Sequence, residues 1–191
     1  IKSAKNSRLQ VIKKQKNSDE HLKFYIAVTE EKNPRLYEFK FNNYEELLSL
    51  KIKKVLKSDK HLSDEKIYII CTNGEYDICC GKFGMPVYLD IAKGKYGHQT
   101  WEANHIGGHR FASTFVCLPH GLVYGRVREG KVAEELIKQY ERGEVNLTSY
   151  RGRSCHSSEV QAAEYYLRKE TGITEISNLS YKSFKNILPW I

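Results

Sequence analysis

One short run of side chains places the strongest constraint on the fold of this chain. Residues 66–73 read KIYIICTN, and aliphatic and aromatic side chains follow one another from Ile67 to Ile70 without the alternation of a half-exposed strand. Such an uninterrupted run is typical of a central strand that is covered on both faces. It therefore predicts a sheet with helices packed against it, and it places Cys71 at the C-terminal end of the central strand.

The residues before this strand predict a small β-rich region. The first forty residues carry three strand-like runs, LQVIKK, FYIAV and LYEFKF, separated by turn residues. Together they predict an antiparallel meander. Residues 42–56, NNYEELLSLKIKKVL, then predict one amphipathic helix capped by Asn43.

The residues after the central strand alternate between helical and strand-like patterns. Residues 75–93 predict a loop and then a crossover helix from Met85. The runs QTWEAN, FASTFVCLP and LVYGRVR predict strands, and the last two form a hairpin that turns at His120 and Gly121. VAEELIKQYERG predicts a helix that stops at Gly143.

A last helix is predicted from SSEVQAAEYYLRKETG, with Ser158 as its cap and an apolar stripe formed by Val160, Ala163, Tyr166 and Leu167. The order of elements from residue 66 then matches a thioredoxin-like arrangement, if one strand is a short edge segment. This arrangement is a mixed sheet flanked by helices and belongs to the α+β (α/β) class. We predict an N-terminal antiparallel β-rich extension over 1–60, a thioredoxin-like core over 61–145 and a C-terminal helical segment over 146–191, all in one compact unit.

Composition narrows the classes of partner. The net charge of the 191 residues is +8, but the lysine-rich stretches lack the aromatic signature or helix-turn-helix pattern of a nucleic-acid-binding protein, so we predict no nucleic-acid partner. No apolar run approaches the roughly 20 residues that span a bilayer, so we predict no membrane partner. An odd count of five cysteines without a signal peptide favours a reducing, cytoplasmic location.

Two pairs of side chains predict a metal site. Cys71 and Cys80 are the first and last residues of a polar stretch, CTNGEYDICC, while His105 and His109 flank two glycines in WEANHIGGHRF. We expect each pair to lie in a loop at the end of a strand, where two thiolates and two imidazoles complete a set of four ligands. The glycines at 107–108 lack a Cβ, so the backbone can bend tightly enough for both rings to face one point.

The identity of the metal stays open on these residues alone. A structural zinc site uses two cysteines and two histidines, but its cysteines usually stand two to four residues apart. An iron–sulfur cluster accepts two imidazoles on one iron, as in Rieske centres, although the Rieske pattern interleaves Cys and His within each loop. A zinc-stabilised interaction domain and a thioredoxin-like thiol oxidoreductase are therefore the alternatives to an iron–sulfur protein.

Three longer stretches carry a resemblance to a known family. CTNGEYDICCGKFGMP, WEANHIGGHRFASTFVCLPHGLVYGRV and YRGRSCHSSEVQAAEYYLR resemble the sucrase/ferredoxin-like family, thioredoxin-like [2Fe-2S] ferredoxins with bis-histidinyl coordination. The resemblance covers most of residues 66–170 and implies a [2Fe-2S] cluster held by Cys71, Cys80, His105 and His109. The chain departs from the family at Asn73, where we expect a histidine, so this position cannot titrate.

The resemblance implies an electron carrier rather than a catalyst. Neutral imidazoles in place of thiolates raise the reduction potential of a cluster, and a free ring nitrogen in contact with water can bind a proton on reduction. We therefore predict one-electron transfer coupled to proton uptake, with a redox protein as donor or acceptor. The family name suggests sugar cleavage, but the sequence contains neither a nucleotide-binding glycine fingerprint nor a nucleophile elbow to support it.

Further side chains are candidates for orienting the rings and tuning the centre. They are Cys79, Asn73, Glu102, Asn104, Arg110 and Arg126. Cys79 is also the alternative to Cys80 as a ligand.

Overall fold

The structure is a computed structural model that describes residues 7–15 and 20–182. The strands are β1 (Ile12–Lys13), β2 (Leu22–Val28), β3 (Arg35–Phe41), β4 (Leu62–Ser63), β5 (Ile67–Cys71), β6 (Thr100–Ala103), β7 (Phe115–Leu118), β8 (Leu122–Tyr124) and β9 (Tyr150–Arg153). The α-helices are α1 (Tyr44–Leu48), α2 (Ile52–Val55), α3 (Ile78–Ala92), α4 (Gly130–Glu141) and α5 (Ser158–Thr171), and the 3-10 helices are His109–Phe111 and Ile176–Asn178.

The larger sheet has the strand order β1-β6-β5-β7-β8-β9. All five residues of β5 are buried, as the apolar run predicts, and β5 runs parallel to β6 and antiparallel to β7. Helix α3 connects β5 to β6, and α4 follows the β7–β8 hairpin. This strand–helix–strand unit followed by a hairpin and a helix is the thioredoxin-like arrangement, which confirms the predicted α+β class.

The smaller sheet has the order β2-β3-β4. Strands β2 and β3 pair antiparallel along their whole length, from Leu22 opposite Phe41 to Val28 opposite Arg35. The predicted three-stranded meander is wrong in its first strand, because β1 pairs with β6 at the edge of the larger sheet. Strand β1 lies in the predicted N-terminal extension and β9 in the predicted C-terminal segment, and both belong to the larger sheet. The division of the chain into three segments stays a prediction.

The helix predicted over residues 42–56 is two helices, α1 and α2. Asn43 caps α1 as expected, since its side-chain oxygen accepts a hydrogen bond from the N–H of Glu46 at 2.9 Å. The helix ends at Ser49, whose hydroxyl donates to the carbonyl of Glu46 at 2.7 Å. Such a local bond competes with continued helical hydrogen bonding, so the single helix was wrong.

Helix α3 was predicted to start at Met85, but it begins seven residues earlier, at Ile78. Asp77 caps it by accepting a hydrogen bond from the N–H of Cys79 at 2.8 Å, and Pro86 lies inside the helix. This cap outweighs the breaking tendency of the proline, so Cys80 lies in the first helical turn rather than in a loop. The turns at Gly121 and Gly143 are confirmed, with φ values of 65° and 79°.

The predicted apolar stripe of α5 is wrong. Tyr166 and Leu167 are exposed, whereas Glu164 and Arg168 are buried. One oxygen of Glu164 accepts hydrogen bonds of 3.0 Å from both Arg168 and Arg153, and this pairing compensates for the burial of the charges. Within residues 7–15 and 20–182, no helix is both long and apolar enough to span a membrane.

Candidate metal centre

Two glycine contacts bring the thiols of Cys71 and Cys80 together. Helix α3 crosses the end of β5 so closely that a Cβ on Gly84 would lie 2.0 Å from the carbonyl oxygen of Cys71. One turn earlier, a Cβ on Gly81 would lie 2.9 Å from the Cα of Gly74. Only glycine allows backbones to approach to this extent, so the helix carrying Cys80 is seated directly on the strand end that carries Cys71.

The two thiols are buried in a small apolar cluster. Cys71 and Cys80 are fully buried and pack with Ala112, Phe83 and Ile106. Burial raises the pKa of the Cys80 thiol to about 12, and its hydrogen bond with Cys71 acts in the same direction. Without a metal the Cys80 thiol stays protonated at neutral pH, and binding a metal ion would release that proton.

His105 completes a group of three ligand atoms. The two sulfur atoms and one ring nitrogen of His105 all lie within 4.8 Å of one another. Burial, followed by the charges of His109 and Arg8, lowers the pKa of His105, so its imidazole is neutral at neutral pH. Its Nδ1 atom is buried and has no hydrogen-bond partner among the described residues, so no protein group competes for it with a metal.

His109 lies beside this group. The backbone turns between the two histidines at Gly107 and Gly108, whose φ values of 95° and 68° confirm the need for glycine there. His109 then opens a 3-10 helix, is exposed, and places its ring centroid 5.6 Å from that of His105. The structure thus brings Cys71, Cys80 and His105 together and leaves His109 at the outer edge of the group.

Tyr76 covers His105 from the solvent side and was missed by sequence reasoning. The two rings are stacked, with centroids 3.6 Å apart and an interplanar angle of 18°, although Tyr76 is 62% exposed. The signal was present, because Tyr76 is the aromatic residue of the polar stretch between the two cysteines. Its ring limits the access of water to the imidazole.

Arg8 supports the histidine loop from far away in the sequence. Its guanidinium donates a hydrogen bond of 3.0 Å to the carbonyl oxygen of His105 and lies beside Gly107. Nearby, the backbone of Val11 exchanges hydrogen bonds with Asn104 at 3.1 and 3.3 Å. No local pattern could reveal a contact between residues 97 positions apart.

The predicted tuning residues have mainly structural partners. Glu102 is buried and accepts a hydrogen bond of 3.1 Å from the hydroxyl of Thr72, the residue after Cys71. Asn73 accepts a hydrogen bond from a backbone N–H in its own loop. Asn104 ties the histidine loop to the N-terminal segment.

The other three predicted tuning residues, Cys79, Arg110 and Arg126, are exposed. Both arginines lie near the ring of Phe111. In the described part of the chain, no hydrogen bond joins any of the six tuning candidates to the side chains of the four predicted ligands.

The donor set fits a zinc ion or an iron–sulfur cluster. Thiolates and imidazoles are the ligands that both prefer, whereas calcium and magnesium require oxygen. The buried thiols, the neutral imidazole of His105 and its unpartnered nitrogen all suit metal ligation.

Comparison with known proteins identifies the family of this chain. Residues 2–152 match the sucrase/ferredoxin-like family, and the chain belongs to that family. No curated protein matches the chain. Two solved structures are similar, a thioredoxin-like [2Fe-2S] ferredoxin from Aquifex aeolicus and a cysteine-to-serine variant of it.

The ferredoxin is 16% identical with a TM-score of 0.40, covering 47% of this chain and 93% of its own. The variant is 15% identical with a TM-score of 0.40, covering 47% of this chain and 100% of its own.

Proposed function

We propose that this chain is a one-electron carrier whose [2Fe-2S] cluster is held by Cys71, Cys80, His105 and His109. The observation that supports the proposal is the convergence of two buried sulfur atoms and a histidine nitrogen within 4.8 Å, with a second histidine ring beside them. Family membership supports the same reading. When bound, such a cluster accepts and releases one electron at a time.

The protein supplies the cluster with a dry inner side and an exposed outer side. Cys71 and Cys80 would bind it from the interior, where Phe83 and Ala112 exclude water. His105 and His109 would bind it from the surface loop, and the exposed ring of His109 would bring the centre to the molecular surface. Electron exchange with another protein is therefore expected at the histidine edge.

The histidine edge is also where a proton can be held. Each imidazole uses one nitrogen for the metal and keeps the other. Since His109 is exposed, its remaining nitrogen would lie within reach of water, where a proton could be held. This supports the predicted coupling between electron and proton.

Burial disfavours a thiol oxidoreductase that uses Cys71 or Cys80. A redox-active thiol must be reached by the disulfide of its substrate, and both Cys71 and Cys80 are 0% exposed. A zinc-stabilised domain would use the same four ligands, so metal analysis must separate it from the electron carrier.

The test is the visible absorption spectrum of protein purified without oxygen, with iron, zinc and acid-labile sulfide measured on the same sample. A red-brown protein with about two irons and two sulfides per chain supports the electron carrier. A colourless protein with one zinc per chain refutes it and makes the four ligands structural.

A further inference from the structure

Three arginines surround one aromatic ring beside the metal centre. The guanidinium carbons of Arg110, Arg126 and Arg151 lie 5.8, 5.7 and 4.2 Å from the ring centroid of Phe111. Phe111 belongs to the 3-10 helix that His109 opens. The three positive charges are therefore gathered next to the exposed predicted ligand.

The backbone holds this arrangement in place. The N–H of Arg126 donates to the carbonyl oxygen of Phe111 at 2.7 Å and fixes Arg126 at a φ of 61°, a conformation uncommon outside glycine. A Cβ on Gly125 would lie 2.8 Å from the Cβ of Phe111 and 3.1 Å from the Nε of Arg151. Gly125 thus allows the ring and the buried guanidinium nitrogen to meet.

A fourth arginine extends the charge over the thiol side of the centre. The guanidinium carbon of Arg128 lies 3.8 Å from the ring centroid of Phe83, close enough for a cation–π interaction. Phe83 in turn packs against the cluster formed by Cys71, Cys80 and Ala112. We call Arg110, Arg126, Arg128 and Arg151 the arginine face.

The arginine face lacks counter-charges of its own. Within residues 7–15 and 20–182, none of its four guanidinium groups forms a salt bridge, and the buried Nε of Arg151 has no hydrogen-bond acceptor. Burial, followed by the charge of Arg126, lowers the pKa of Arg151. Elsewhere the chain pairs its buried guanidinium groups, as the contacts of Arg153 and Arg168 with Glu164 illustrate. The repulsion between Arg126 and the partly buried Arg151 destabilises the protein alone, and an anionic partner would offset that cost.

We propose that the arginine face docks a carboxylate-rich surface of the redox protein that exchanges electrons with this chain. The inference rests on the proposed function, because it names the partner of that same centre. Arg110, Arg126 and Arg128 are exposed and spread over two aromatic rings, which suits a protein surface better than a small enclosed anion. Opposite charge at such a rim steers association and fixes the orientation of the partner.

The test uses two forms of one probe protein that differ in charge. Cytochrome c is basic, and its fully succinylated form is acidic with the same haem. Binding of each form to the full chain is measured by calorimetry at low and at physiological salt. The test variant is R110E/R128E, with R110Q/R128Q as a milder second variant, and K53E/K54E on the exposed face of α2 is the matched control for net charge.

We expect the acidic probe to bind at least about tenfold more tightly than the basic probe at low salt, and to weaken about tenfold at physiological salt. R110E/R128E should weaken binding at least about tenfold, R110Q/R128Q by less, and K53E/K54E by less than about twofold. Equal losses in the test and control variants would overturn the proposal, because the net charge would then explain the binding. The proposal would also be overturned if inorganic phosphate displaced the probe and sodium chloride of equal ionic strength did not. That result would indicate a small-anion site.

The colour of the same samples separates this proposal from the function on which it rests. A coloured protein whose probe binding ignores the arginine variants refutes the docking face and leaves the electron carrier intact. A colourless protein refutes the electron carrier and, with it, the redox identity of the partner. If probe binding still depends on the arginines in that case, the arginine face remains a docking surface for an acidic protein but has no redox role.

Discussion

The two halves of the candidate metal centre are built in different ways. Cys71 and Cys80 are buried, and the backbones that carry them touch directly through Gly84. His105 and His109 lie on a surface loop, and Tyr76 supports that loop through a side-chain contact. If the proposed cluster is bound, the thiol half would fix its position, whereas the histidine half would expose it to solvent.

The largest effect is expected from Cys71→Ser. Serine offers no thiolate, so the proposed cluster would lose one of its four protein ligands and should assemble poorly. Iron should fall from about two per chain to near zero, as measured by metal analysis of protein purified without oxygen. Cys79→Ser is the matched control, since Cys79 is exposed and should leave the iron content unchanged. Loss of iron in Cys79→Ser would identify Cys79 as the ligand in place of Cys80.

The next effect is expected from Gly84→Ala, which tests the rigidity of the thiol half. The added Cβ would meet the carbonyl oxygen of Cys71 at 2.0 Å, and backbone cannot yield as a flexible side chain can. The free energy of unfolding should fall by about 3 kcal/mol, as measured by urea denaturation. Gly94→Ala is the control, because its Cβ would lie 3.6 Å from the nearest carbonyl oxygen and should change stability by less than about 0.5 kcal/mol. Equal stability of the two variants would contradict the close packing of α3 on β5.

A smaller effect is expected from Tyr76→Leu on the histidine half. The variant removes the ring stacked on His105, an interaction of about 1 kcal/mol. We expect iron to pass to an external chelator roughly fivefold faster, since water gains access to the imidazole. Tyr166→Leu on α5 is the control, as Tyr76 and Tyr166 are both 62% exposed. An unchanged rate of iron release in Tyr76→Leu would remove Tyr76 from the centre.

The smallest effect is expected from Arg8→Ala. Loss of the hydrogen bond from Arg8 to the carbonyl oxygen of His105 should weaken the loop by about 0.5 kcal/mol. Amide hydrogen exchange across residues 105–108 should then rise roughly twofold. Lys13→Ala, in the same N-terminal segment, is the control and should leave that exchange unchanged. If both variants accelerate exchange equally, the segment as a whole and not Arg8 supports the loop.

Sequence reasoning succeeded where local physics decides the structure. The uninterrupted apolar run made β5 a central strand, and the paired glycines at 107–108 fixed the turn between the histidines. The hairpin at Gly121 and the cap at Asn43 were also predictable, since each depends on residues within a few positions.

The rest depends on contacts between distant residues. The pairing of β1 with β6 and the contact of Arg8 with His105 join segments about ninety residues apart, so no local pattern indicates them. The buried face of α5 was missed because Glu164 and Arg168 are polar by type and become buried only through Arg153. The start of α3 was missed because two local signals conflict. Asp77 caps a helix that begins at Ile78, whereas Pro86 predicts that no helix runs through that position.

The most direct test of the two-sided centre is pulsed electron paramagnetic resonance of the reduced protein containing ¹⁵N-labelled histidine. If a [2Fe-2S] cluster is held by both halves, two strongly coupled histidine nitrogens will be detected, one each from His105 and His109. One coupled nitrogen would mean that a single histidine contacts the metal and that the fourth ligand is another residue. A paramagnetic signal without any coupled nitrogen, or no signal at all, would contradict the account.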